Sequence, residues 1–188
     1  MRFFPQFGAY FAGGWIPVLI YLLLLALLMN TMPRGVLARL YSRCRASMAH
    51  TAGEILSKCA FLANALIISF ARLDTDSALF AAGVTAFALG EIVFVVSVYN
   101  YRSVPPDQPA TSGLYRFSRN PQIVATLLSL FGICCSVNAL LPLVLLAIEA
   151  VFMHLKVLEE EKLCLRRYGR KYRLYMESTN RYLPASIY

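Results

Sequence analysis

At 188 residues the chain has room for one compact unit. Hydrophobic residues make up 59% of it and charged ones 15%, with a mean hydropathy of +0.59, which is more apolar surface than a soluble domain of this size can bury. The formal charge of +8 falls in the gaps between apolar runs and not along one soluble face, which argues against nucleic acid and for lipid headgroups as the counter-charge.

In chain order, the run between Arg2 and Arg34 carries no charge and is long enough for a first membrane span, which needs ~20 apolar residues. One basic residue precedes it, while Arg34, Arg39, Arg43 and Arg45 follow, the reverse of a secretory signal. A second span from about Ala49 to Ala71 is interrupted by Glu54 and Lys58, which are spaced to pair on one helix face. The polar turn RLDTDS, with Arg72, Asp74 and Asp76, leads to a third span from about Ser77 to Tyr101 that contains Glu91. RSVPPDQPATSG, from Arg102 to Gly113, holds Pro105, Pro106 and Pro109 and is not helical. Pro121 suits the first turn of a fourth helix running to about Ser136. A tight turn at Val137, Asn138 and Ala139 returns the chain as a fifth helix from Leu140 to about Leu155, and the helical pattern continues into the tail.

Lys and Arg residues test this order. The first loop has four, the Pro-rich loop and its sequel three (Arg102, Arg116, Arg119), and the tail from Lys156 eight. That puts fifteen on one side, against Arg2 and Arg72 on the other. The bias predicts an all-α integral membrane protein of five transmembrane helices, N-terminus outside, with a C-terminal cytosolic helical cap. The five cysteines, Cys44, Cys59, Cys134, Cys135 and Cys164, form neither a CxxC pair nor a His-containing ligand set, so no metal site is expected.

Two polar segments flank the hydrophobic hairpin of helices four and five, and folding the hairpin brings them to one membrane surface. On the tail side, seven residues at 100° bring Glu161 back within about 20° of His154, so the two share a stripe with Leu158 and Leu165. No basic residue at helical contact spacing neutralises Glu161, and Glu160 has only Lys156. On the loop side, GLYRFSRNP offers the Arg119 cation, the Asn120 amide and a helix entry at Pro121 whose first N–H groups face outward. A zwitterion with an aromatic base suits both sets, and S-adenosylmethionine is such a ligand. Glu would take its α-amino group and Arg or N–H groups its carboxylate, with Tyr115, Tyr168 and Tyr172 as candidates for the ribose and adenine. Glu91, a carboxylate inside a span, is either held by Lys58, Arg102 or Arg119 or is a substrate-side residue, with Gln122 beside it in that role.

GLYRFSRNPQ, followed by the Glu pair, YG, spaced tyrosines and RYLP, resembles the integral-membrane methyltransferases related to isoprenylcysteine carboxyl methyltransferase and the phospholipid methyltransferases. The resemblance covers roughly the last 75 residues and divides the chain into helices 1–3 with the Pro-rich loop (1–112) and a methyltransferase-like core (113–188). It implies S-adenosylmethionine as cofactor, held by Arg119, Asn120, Pro121, Glu160 and Glu161, with His154 where many relatives place a histidine. Arg119, His154 and Glu161 would be the catalytic set. The acceptor would be a lipophilic molecule entering from the bilayer, a prenylcysteine-type carboxylate or a lipid amine. Aligned in-line displacement in a dry site needs little else for a carboxylate acceptor, whereas an amine needs a base such as His154 or a glutamate.

Two other functions fit parts of the pattern. A sterol-reductase-like NADPH enzyme shares the architecture and a tail echoed in Cys164, Tyr168, Gly169, Arg181, Pro184 and Tyr188, but the acidic pair would repel phosphate. A non-catalytic scaffold whose basic tail grips anionic lipid is the third reading.

Overall fold

The computed structural model describes residues 1–8, 10–36, 48–105 and 107–183, the backbone alone over 48–54. The basic loop residues Arg39, Arg43 and Arg45, with Cys44, the Glu54 side chain, Pro106, Pro184 and Tyr188, lie outside that description. Among the described residues the fold is all-helical: α1 (Trp15–Thr31), α2 (Met48–Ser69), α3 (Ala78–Arg102), α4 (Pro121–Val137), α5 (Leu140–Tyr168) and α6 (Arg170–Ser178). A single 3-10 turn, Gly113–Arg116, follows the Pro-rich connection.

Sequence accounts for most of the boundaries. Ser77 caps α3 by accepting the Leu79 N–H at 3.2 Å. Pro121 opens α4, where its missing N–H costs nothing. Asn138, in the left-handed region at φ 52°, closes α4 and holds the turn by donating its amide to Asp74 at 2.8 Å. Gly169, at φ 55°, separates α5 from α6.

One boundary differs from the expectation. The apolar run after Arg2 does not become helical until Trp15. Residues 2–8 and 10–14 instead cross the end of the bundle, and their backbone groups pair with other segments: Gly8 N with Phe70 O (3.0 Å), Gln6 O with Arg72 N (2.9 Å), Arg2 O with Leu140 N (2.8 Å). Pro5 cannot donate within a helix, and Gly14 lies so close to the Ile68 carbonyl that no side chain fits there. Cross-chain pairing therefore satisfies the polar backbone that a helix would otherwise have satisfied internally.

The central contact is α3 against α4, antiparallel. A Cβ on Gly83 would sit 2.6 Å from Gly132 O, and Gly90 presses on Ser129, so the two backbones meet through small residues. Across α2 and α5, Asn64 donates to Pro142 O at 3.2 Å. The outward faces carry large aliphatics, among them Leu23, Leu27, Leu66, Ile92 and Val151, all more than half exposed. Helices α3 and α5 are long and apolar enough to cross a membrane, while Trp15–Thr31, Ile55–Ser69 and Pro121–Val137 are shorter apolar helices. Apolar side chains directed outward on helices of this length are what a bilayer, not water, would solvate.

Candidate active site

At the end of the bundle where α4 begins, α5 runs on past its apolar part without a break, so Glu160 and Glu161 ride on the same rigid helix as Leu146. The Pro-rich connection places the 3-10 turn beside α3. Gly113, at φ 61°, packs against the Asn100 side chain, whose Oδ1 accepts the Leu114 N–H at 2.8 Å. The short α6 folds back through Gly169, and the segment after it lies over the entry to α4. Arg119 N donates to Asn180 O (2.9 Å), while Ser118 Oγ (3.2 Å) and Asn120 Nδ2 (3.3 Å) donate to Arg181 O. Tyr175 closes the same seam with its hydroxyl on Tyr115 O at 2.6 Å.

These elements enclose a cleft lined by Tyr115, Arg119, Asn120, Glu160, Glu161 and Tyr172, joined by Tyr101, Cys164 and Tyr175 among others. Glu161 is its electrostatic centre. It is 4% exposed and accepts from Arg119 Nη2 at 3.2 Å, from Arg181 Nη2 at 2.9 Å, and from Arg181 Nε at 3.1 Å to both oxygens. The hydrogen bonds that Arg181 donates to Glu161 push its pKa up and hold it charged. Burial raises the Tyr172 and Tyr175 phenols above their ordinary range, which removes both as bases at neutral pH. Glu160 has a looser partner, Lys156 at 3.8 Å one turn back.

The sequence expectations divide. Tyr115, Arg119, Asn120, Glu160, Glu161 and Tyr172 converge on one cleft. His154 is not on its wall; its Nδ1 meets the Tyr182 hydroxyl at 2.8 Å. Pro121 and Gln122 form the first turn of α4 behind the wall, and Tyr168 packs with Cys164, Tyr172 and Tyr175. Of the first N–H groups of α4, expected to face a ligand, Ile123 N and Val124 N are engaged by Asn120 O at 3.1 and 3.2 Å. Glu91 lies deeper, against α4 beside Ser129, and makes no ion pair with Arg102 or Arg119; among the described residues no side chain meets its carboxylate oxygens in good hydrogen-bond geometry.

Three residues escape sequence reasoning. Arg181 is visible only as part of RYLP, Tyr175 only as one of several spaced tyrosines, and Glu149 as a lone acid in the fifth apolar run. Glu149 is 1% exposed, and among the described residues its oxygens, like those of Glu91, have no hydrogen-bond partner.

The model of the family described as phospholipid methyltransferase matches residues 77–171, half of the chain. The chain belongs to this family. No curated protein and no solved structure matched. The matched stretch contains α3, the 3-10 turn, α4, α5 and three of the charged residues in the cleft, Arg119, Glu160 and Glu161, while Tyr172, Tyr175 and Arg181 lie beyond it. The phospholipid methyltransferase family is one of membrane methyltransferases, in keeping with the two helices long and apolar enough to cross a bilayer.

Proposed function

We propose that the protein is an S-adenosylmethionine-dependent methyltransferase that takes its cofactor in the cleft between the 3-10 turn, α4, α5 and α6 and a lipophilic acceptor from the bilayer. The observation that carries this reading is the convergence of a buried cation, a carboxylate with spare capacity and several aromatic rings within and just beyond the family-matched stretch.

The residues fit the cofactor's donors and acceptors. Arg119 Nε is buried and, among the described residues, lacks an acceptor, which a ligand carboxylate would supply. Glu160, held only loosely by Lys156, suits an ammonium. Tyr115, Tyr172 and Tyr175 offer ring faces and edges for an adenine. When bound, the cofactor supplies an electrophilic methyl group on a sulfonium. The chain's part is to orient and to exclude water: the segment 179–181, laid over the α4 entry, closes the cleft on the water side.

Space is the constraint. Only about 40 Å3 of the cleft admits a water-sized molecule, against the roughly 300 Å3 or more usual for small-molecule sites. Cofactor entry therefore requires Arg181 and its segment to swing away from Glu161, with Arg119 remaining in place at the entry to α4. Arg181, with its side chain 31% exposed, is the weaker arm of the clamp.

The five-span arrangement, N-terminus out and C-terminus in the cytosol, belongs to the same proposal and rests on the fifteen-to-two distribution of basic residues. The acceptor is of the prenylcysteine carboxylate or lipid amine kind. A carboxylate needs no base, whereas an amine needs one other than Glu160, which is given to the cofactor's ammonium. An NADPH enzyme is a second reading, because Arg119 and Arg181 offset the phosphate repulsion expected of the acidic pair. Heat of binding on detergent-purified protein separates the two. S-adenosylhomocysteine binds and NADPH does not if the methyltransferase reading holds, and the reverse result overturns it.

A further inference from the structure

The other end of the bundle carries a second polar cavity that methyl transfer does not use. Helix α4 alone, with 17 residues, separates the two ends by about 25 Å, and the cavity lies at its far turn. It encloses about 190 Å3 and is lined by Arg2, Phe4, Gln6, Arg72, Asp74 and Asp76, with Asn138 at its base. The strands of backbone that form it are fastened together: Arg72 N to Gln6 O at 2.9 Å, Asp74 N to Ser136 O at 2.9 Å, Arg2 N to Asn138 O at 3.3 Å. The geometry is held mainly by main chain, with the Asp74 carboxylate fastening it as well through Asn138.

Those side chains are unspent. Among the described residues no ion pair joins Arg2 or Arg72 to Asp74 or Asp76. Asp74 gives one oxygen to the Asn138 amide at 2.8 Å, and Asn138 Oδ1, buried, has no partner. Two cations and two anions therefore face one cavity without neutralising each other directly. Phe4 lines the cavity, and the same N-terminal stretch presents further exposed rings, Phe3, Phe7 and Trp15, with Phe11 99% exposed. Five large rings presented to the surroundings by a segment anchored on its backbone are costly in water and favourable at a bilayer interface.

We propose that this cavity binds the headgroup of a zwitterionic phospholipid of the adjacent leaflet, its phosphate on Arg2 and Arg72 and its ammonium on Asp74, Asp76 and Asn138 Oδ1. The exposed rings of the N-terminal stretch favour a lipid over a soluble phosphate, because Phe4 in the cavity wall and Phe3, Phe7 and Phe11 in the same stretch offer apolar surface to acyl chains. The bound lipid is a fixed ligand of the far end and not the methyl acceptor, which has to reach the cleft about 25 Å away.

The test is native mass spectrometry of the full chain in detergent, titrated separately with short-chain phosphatidylcholine, phosphatidylglycerol and inorganic phosphate. Wild type retains one phosphatidylcholine at least fivefold more strongly than phosphatidylglycerol, and no inorganic phosphate. The double change Arg2→Gln with Arg72→Gln removes that retention, and Arg72→Lys restores most of it. Asp76→Asn, at an exposed position, guards against misfolding as the cause: it lowers phosphatidylcholine retention while leaving phosphatidylglycerol unchanged or stronger. Equal retention of both lipids by wild type, retention of inorganic phosphate, or variants that keep phosphatidylcholine as wild type does would overturn the proposal.

Discussion

Glu161→Gln probes the clamp directly. The carboxylate is met by Arg119 from the α4 entry and by Arg181 from the segment after α6, at 3.2 Å and 2.9 Å. Removing its charge leaves the Arg119 guanidinium, with its side chain only 8% exposed, without a counter-ion. Breaking a buried pair by removing one partner costs about 3–5 kcal/mol. Glutamine keeps one acceptor oxygen and the Arg181 arm is partly in solvent, so about 2–3 kcal/mol is the expected loss. For a chain of this size that corresponds to a melting midpoint lower by roughly 5–10 °C. Thermal unfolding of detergent-purified protein by circular dichroism reads it, with Arg181→Gln as the control, expected to shift by less than about 2 °C. If Glu161→Gln melts with wild type, or Arg181→Gln falls as far as Glu161→Gln, the buried Arg119 charge is not what the glutamate compensates.

Other consequences are checked more simply. Gly132→Leu forces α3 and α4 apart where a Gly83 Cβ would already lie 2.6 Å from Gly132 O, and should cost at least about 1–3 kcal/mol in the same melting assay, whereas Phe131→Leu, at the exposed neighbouring position, should cost less than about 1 kcal/mol. Tyr175→Phe removes the 2.6 Å bond to Tyr115 O and should lower stability by about 0.5–1.5 kcal/mol without moving the pH profile of methyl transfer, since the phenol is not a base. Reporter fusions at the two ends should report opposite sides of the membrane; the same side for both would mean that a span has been miscounted.

Much of this was written in short-range signals. The turn at Asn138, the proline at the head of α4 and the helix break over the Pro-rich loop each depend on one residue's backbone preference, which a sequence displays. The start of α1 does not, because an apolar run reads the same whether its backbone pairs within a helix or with Phe70 and Leu140 across the bundle. The cleft was legible to the extent that its members flank one hairpin, so Arg119 and Glu161 could be placed at one site in advance, as opposite anchors of a ligand and not as the ion pair they form. Arg181 could not, because its approach depends on Gly169 turning α6 back and on three hydrogen bonds that tie its segment to Ser118, Arg119 and Asn120. His154 shows the converse: its helical stripe points toward Glu161, yet Tyr182 arrives from the tail to take its ring nitrogen.

The clamp also changes which residue pair can report a shared ligand. Helical spacing alone leaves Glu161 unneutralised and makes it the natural partner of an ammonium. With two arginines on it, the group carries a net charge of +1 and favours an anion, so the role of ammonium partner passes to Glu160. Arg119 and Glu161 touch, so a double-mutant cycle between them would be non-additive in the absence of any ligand. Arg119 and Glu160 line the same cleft, and each has its own protein partners, Arg119 in Glu161 and Met176 O and Glu160 in Lys156. If they hold opposite ends of one zwitterion, Arg119→Ala and Glu160→Gln should each weaken S-adenosylhomocysteine binding, and the double variant should lose less than the sum. The reason is that a ligand freed at one end shifts and uses its other anchor less well. The same pair should be additive in melting temperature, where no ligand couples them. Additive losses in affinity as well would mean that the two charges act on the ligand independently, and the shared-cofactor reading of the cleft would fail.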